Sequence, residues 1–259
     1  MTNRAKQHLD TVIPSSSFHF GDYISRGFEL WKEKVGLFII FAIIFFVVSS
    51  VVGLIPIVGS IVNYIFVTPL LTAGGYLFSH RLANRETTEL STFFDVTDYA
   101  GRIIGLYAIW MLSLAALIVP MIFMAGVDYN ALTGGDPEAI LSMAENISPL
   151  IFLAVIPLML LGLAIAYASH FIMFFDMTIM DSVSYSAKLF FKHPIAIFFY
   201  FIVVGIIAVS GIIGLCVAMI VTYPMAFPMT YVAFRDLTQL DSYQSNDGDQ
   251  DVYNTLLDV

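Results

Sequence analysis

Residues 35–79 read VGLFIIFAIIFFVVSSVVGLIPIVGSIVNYIFVTPLLTAGGYLFS, 45 positions without one Asp, Glu, Lys, Arg or His. About 20 apolar residues are enough to cross ~30 Å of hydrocarbon. As a single helix this stretch would be about 67 Å long at ~1.5 Å per residue, twice the membrane, so it must fold back. Gly53, Pro56 and Gly59 lie near its middle and supply the turn. The reading is two spans, at about 37–55 and 58–79. Working outward, residues 194–234 repeat the case, uncharged throughout and broken near Gly211 and Gly214. They divide into spans at about 194–213 and 215–234. Residues 103–127 and 149–175 each hold one more, at about 103–126 and 149–174. The sequence thus predicts an all-α polytopic membrane protein with six transmembrane helices arranged in hairpins.

The totals agree. Of 259 residues 59% are apolar and only 12% are charged, against about 25% charged in a soluble domain. That excludes an ordinary soluble enzyme and a disordered chain. The net charge of −9 disfavours nucleic acid, which recruits basic patches. The single cysteine, Cys216, has no disulfide partner within the chain, and CxxC spacing is absent. Residues 1–34 lack an apolar h-region, so no cleavable secretory signal is expected and the first span itself directs insertion.

Orientation follows from the basic residues. Arg4, Lys6, Arg26, Lys32 and Lys34 precede span 1; Arg81, Arg85 and Arg102 lie between spans 2 and 3. Lys188 and Lys192 lie between spans 4 and 5, and Arg235 follows span 6. With six spans, all eleven fall on one side, while the opposite loop, about 128–148, holds Asp128, Asp136, Glu138 and Glu145. The positive-inside rule then puts both termini in the cytoplasm. Residues 1–17 and the acidic tail, 239–259, read as disordered. Between them, 18–238 is the membrane domain.

The two long hairpins have similar preludes. DYISRGFELWKEKVGLFIIF begins at Asp22 and DSVSYSAKLFFKHPIAIFFY at Asp181, each opening with Asp in an expected N-cap position. Ile24, Phe28, Trp31 and Val35 share one helical face, as do Val183, Ala187, Phe190 and Pro194. The opposite faces carry Arg26, Glu29, Lys32 and Glu33, and Ser184, Lys188 and Lys192. The prediction is short amphipathic helices, at about 22–34 and 181–193, lying in the cytoplasmic interface with Trp31 and Phe190 at headgroup depth. Trp31, Lys32, Lys34, Lys188, Phe190 and Lys192 are then the candidate interfacial contacts. STFFDVTDYAGRIIG, before span 3, reads as a weaker third copy with an interfacial helix at about 91–101. Duplication and shared apolar composition both account for the likeness. All copies enter from one side, so a duplication would give parallel repeats.

These features resemble six-span bacterial inner-membrane proteins of the YciC-like type and the membrane domain attached to some glycerophosphodiester phosphodiesterases. The resemblance rests on FGDYISRGFELWKEKVG, LIPIVGSIVNYIFVTPLLTAGGYLFSHRL and MDSVSYSAKLFFKHP, and covers about residues 18–238. It implies the six-span architecture and a bacterial cytoplasmic membrane. It carries no catalytic residue, because those families offer none.

Three features bear on chemistry. Ionisable groups inside a span point to function, and His170 is the one candidate, with His80 and His193 near the same interface. Three histidines on one side could share a metal, but their spacing is no motif, and an interfacial or interhelical hydrogen bond is the plainer role. Prolines are the second feature. Pro69, Pro120, Pro157, Pro224 and Pro228 lie within spans, where each removes a donor and leaves a carbonyl to be satisfied. Packing kinks and a transport site are both consistent with them. Thirdly, Ala73, Gly74 and Gly75 mark a close helix contact in span 2.

The expected function is a non-catalytic inner-membrane organiser of partners or lipids, with the bilayer, anionic lipids and membrane proteins as the partner classes, and no cofactor or nucleic acid. One alternative is a carrier or channel for a small or lipid-like solute using the proline-broken spans. Another is a membrane-embedded metal-dependent enzyme using His80, His170 and His193. The sequence sets neither substrate nor oligomeric state.

Overall fold

The computed structural model describes residues 2–124, 154–214 and 218–245, and among them there is helix and no strand. The helices are α1 (Thr2–Ser15), α2 (Phe20–Glu33) and α3 (Val35–Gly53), followed by α4 (Val58–Ala83) and α5 (Thr97–Met124). Then come α6 (Ala154–Phe174), α7 (Ile179–Lys192), α8 (Pro194–Val209) and α9 (Ala226–Leu237). Five helical stretches among the described residues are long and apolar enough to cross a membrane: Val35–Gly53, Val58–Ala83, Thr97–Pro120, Ala154–Phe174 and Pro194–Ile212.

The sixth expected span is not a continuous helix among the described residues. A single turn, Met219–Thr222, leads into a 3₁₀ turn, Tyr223–Met225, and only then does α9 begin. Pro224 sits in that turn, where its missing N–H costs no helical bond. Span 2 is interrupted too, by a π-helical turn, Asn63–Val67, before Pro69 in the next helical stretch. The other prolines do not break helices. Pro120 lies within continuous α5, Pro157 in the first described turn of α6, and Pro228 in the first turn of α9. Span 4 is instead interrupted by a turn at 165–167.

Two segments expected to be disordered contain helix. Residues 1–17 include α1, whose Ala5, Leu9, Val12 and Ile13 are buried at helical spacing. Past α9, residues 240–245 are helical and bury Leu240 and Tyr243; residues 246–259 lie outside the described residues. The expected helix at 91–101 does not form. The Glu89 side chain accepts from the backbone at Thr92, and the Thr92 hydroxyl from the Glu89 N–H, closing a 3₁₀ turn, Leu90–Phe94. The helix of span 3 then starts at Thr97, earlier than expected.

The two prelude helices match at one constant offset, with details the sequence did not show. Their N-caps are His19 and Thr178, so Asp22 and Asp181 are first-turn residues rather than caps. The Thr178 hydroxyl oxygen accepts from the Asp181 N–H at 3.3 Å. The buried faces are Tyr23, Gly27, Leu30 and Trp31 in α2, and Ser182, Tyr185, Ser186, Leu189 and Phe190 in α7, the same positions but for Tyr185, where α2 has the exposed Arg26. Both helices end on the same hinge, Lys34 (φ −137°, ψ 40°) and His193 (φ −130°, ψ 51°).

Packing is cyclic. Each prelude lies on the second helix of the hairpin before it: Leu90–Phe94 on α4, and α7 on α6. The first prelude, α2, has no hairpin before it and packs on α9, closing the ring. Small residues permit each contact. A Cβ on Gly27 would lie 2.5 Å from the Met229 Cα, one on Gly74 would meet the Phe93 carbonyl oxygen, and Ser186 Oγ accepts from the Tyr167 N–H at 3.1 Å. That last bond satisfies a donor freed by the turn at 165–167. The second helices α4, α6 and α9 meet along the axis. Residues 227–234 of α9 are all buried, as befits a helix surrounded on every side.

Candidate functional site

Two places bring functional side chains together. The first is the axis. His170 is fully buried on α6, its ring 4.0 Å from Tyr76 of α4, 4.9 Å from Phe234 of α9 and 5.5 Å from Tyr167. Neither of its ring nitrogens has a hydrogen-bond partner among the described residues, nor does the Tyr167 hydroxyl. His80 lies nearby, its ring 4.7 Å from Phe174. Its Nδ1 is 2.8 Å from the Tyr231 hydroxyl and its Nε2 3.2 Å from the Asn84 side-chain amide. A neutral ring protonated at Nδ1 satisfies both bonds, donating to Tyr231 and accepting from Asn84. The aromatic rings of the three axial helices fill this region, so it is a packed plug.

His193 is elsewhere. Its Nε2 is 2.9 Å from Ser16 Oγ, beside Phe18, at the hinge before α8. The structure therefore does not assemble the three histidines. Among the described residues no group of three or more His, Cys, Asp or Glu is placed to share a metal.

The second place is the end of the bundle that carries the basic residues. Here α1 lies across α7, held by ion pairs Lys6–Asp181 at 2.8 Å and Lys188–Asp10 at 2.9 Å. The Lys188 ammonium holds the Asp10 carboxyl below its ordinary range, and Lys6 does the same for Asp181. The Tyr185 hydroxyl donates to the Lys6 carbonyl at 3.4 Å, and His8 Nε2 reaches the Thr238 carbonyl at 2.9 Å. On the α2 side, Asp236 accepts from the Tyr23 hydroxyl at 2.6 Å and lies 3.3 Å from His19. Burial and that carboxylate push the Tyr23 phenol up. Arg102 pairs with Asp176 and Arg81 with Asp95, each at 2.6 Å. Among the described residues Lys34, Arg85 and Lys192 make no ion pair.

The expected interfacial contacts divide. Lys32, Lys34, Lys188 and Lys192 are exposed. Trp31 and Phe190 are buried instead of reaching outward, at 7% and 2% exposure. The true inward faces are rotated by about one residue from the predicted ones, so Phe28 and Phe191 are the aromatic rings left outside. Sequence reasoning missed α1 entirely, although Ala5, Leu9, Val12 and Ile13 carried the signal. Compared with protein-family models, curated proteins and solved structures, the chain matches none.

Proposed function

We propose that this is a six-span, non-catalytic protein of the bacterial inner membrane, of the YciC-like type, with both termini cytoplasmic. In this reading α2 and α7 lie at the cytoplasmic surface and organise lipids or membrane partners. The supporting observation is their shared construction: an inward face packed on a neighbouring hairpin, exposed Lys32, Lys34, Lys188 and Lys192, and one hinge into an apolar helix. Such helices hold cations at a fixed depth and angle, where acidic headgroups concentrate. Charge reversal at these four lysines should reduce acidic-lipid co-purification and alter the set of proteins cross-linked in cells. Unchanged lipid and cross-linking profiles would remove the proposal's support.

A second reading, a carrier for a small or lipid-like solute, is favoured by the interruptions before Pro69 and at Pro224 in the two hairpins. Its test is flux into liposomes holding folded protein. Flux no greater than in empty liposomes, for lipids and small solutes alike, ends that reading.

A further inference from the structure

A groove of about 590 Å³ runs between α1 and α7. Leu9 and Ile13 form one wall, and Ala187 and Phe191 the other. Asp10, Lys188 and Lys192 are its charged groups. Because Asp10 is engaged by Lys188, the uncompensated charge is Lys192, an exposed ammonium two residues before Pro194 opens α8. Past the hinge at His193, α8 carries exposed apolar side chains of its own. Phe191 and Ile195 are each 72% exposed, and Phe199, Ile202 and Ile206 follow at helical spacing, all exposed. A cation at the mouth of an apolar groove, with an apolar helix beyond it, has the layout of a phospholipid, charge above and chains below.

We propose that this groove binds an acidic phospholipid, its phosphate at Lys192 and its chains on the exposed apolar side chains from Phe191 to Ile206. The inference rests on the proposed organiser role and names its ligand. It also gives α1 a purpose, as the wall that turns a helix face into a site. A zwitterionic lipid offers the same phosphate but carries its own cation, which offsets the attraction to Lys192, so net headgroup charge sets the preference.

The test uses the full chain in detergent, with native mass spectrometry counting bound dioleoyl-phosphatidylglycerol or dioleoyl-phosphatidylcholine. The unaltered protein should retain the acidic lipid preferentially. Lys192→Glu should lower that retention about fivefold or more. Ser184→Trp, at an exposed groove position, should lower it similarly by filling the groove without changing charge. Arg85→Glu, which removes a cation outside the groove lining and outside the four lysines, should leave it unchanged. Equal retention of both lipids overturns the proposal. So does displacement by glycerophosphoglycerol, which has the headgroup without chains, since a soluble phosphate would then be the ligand. Loss of a co-purifying protein from Ser184→Trp with lipid unchanged overturns it in favour of a protein occupant. If Lys192→Glu weakens retention and Ser184→Trp does not, the groove is dismissed while the broader organiser reading stands. That reading falls only if reversal of all four lysines leaves lipids and partners unchanged.

Discussion

At the scale of single residues, the contacts that hold the ring are made by side chains with little or nothing on them. Phe93 lies between Phe41 and Phe78, with ring centroids 4.0 and 3.9 Å apart and planes within 10° and 5°. It reaches that slot because Gly74 lets the Phe93 carbonyl come against α4. Gly74→Ala should therefore lower thermal stability in detergent by about 1–3 kcal/mol through overpacking. Gly36→Ala, in α3 with open space around it, should raise stability by up to about 1 kcal/mol through helix propensity. Equal melting shifts for the two would contradict the packing described. Ser186→Ala removes the acceptor for the Tyr167 N–H and leaves a buried donor without a partner. A loss of about 1–3 kcal/mol is expected. The run Ala73, Gly74, Gly75 announced a close approach in the sequence. That Phe93 and Phe227 were what approached it did not, because neither belongs to the same helix and Phe227 lies far along the chain.

At the scale of elements, α1 is the part whose attachment should respond to conditions. Burial, with Lys192 adjoining, holds His193 below its ordinary 6.5, and its Nε2 is tied to Ser16. A folded-state value below the unfolded one means that this contribution is complete above about pH 6.5 and is lost as pH falls through the folded value. Protection factors over residues 2–15, from hydrogen exchange corrected for the intrinsic rate at each pH, should thus be larger at pH 7.5 than at pH 5.5, and His193→Asn should abolish the difference. Uniform protection at both pH values would show that the Ser16–His193 contact does not govern α1. The ion pair Lys188–Asp10 is exposed and Lys6–Asp181 partly so, and salt screens both. The depressed carboxyls of Asp10 and Asp181 extend the loss to lower pH, since each contributes only where it is ionised. Amphipathic elements were legible in the preludes, but their facing was off by about one residue. Periodicity reports which residues share a side and leaves open which side wins when Trp31 and Phe28 both sit near the boundary.

At the scale of the whole molecule, the ring explains why weakly similar preludes recur. Each covers the flank of the preceding hairpin, and α2 completes the set by packing on α9. The proposed six-span topology is tested at Arg85, which makes no ion pair among the described residues and has φ 58° in the turn after α4. A cysteine introduced there should resist an impermeant thiol reagent in intact cells and react once the membrane is permeabilised. Labelling from outside intact cells would reverse the orientation inferred from the eleven basic residues.

Composition and long uncharged runs were enough to establish an all-helical chain with membrane-length segments, because solubility in hydrocarbon is a sum over local residues and each such helix satisfies its own backbone bonds. The positions of Gly53, Pro56 and Gly59 sufficed for the first fold-back for the same local reason. Tertiary packing alone decided that α1 is ordered on α7, that Trp31 and Phe190 turn inward, that span 4 bends at 165–167 where Ser186 offers an acceptor, and that His80 and His170 meet the same aromatic core while His193 does not. Each of these depends on a partner far away in sequence, and the free energy of a contact resides in the pair.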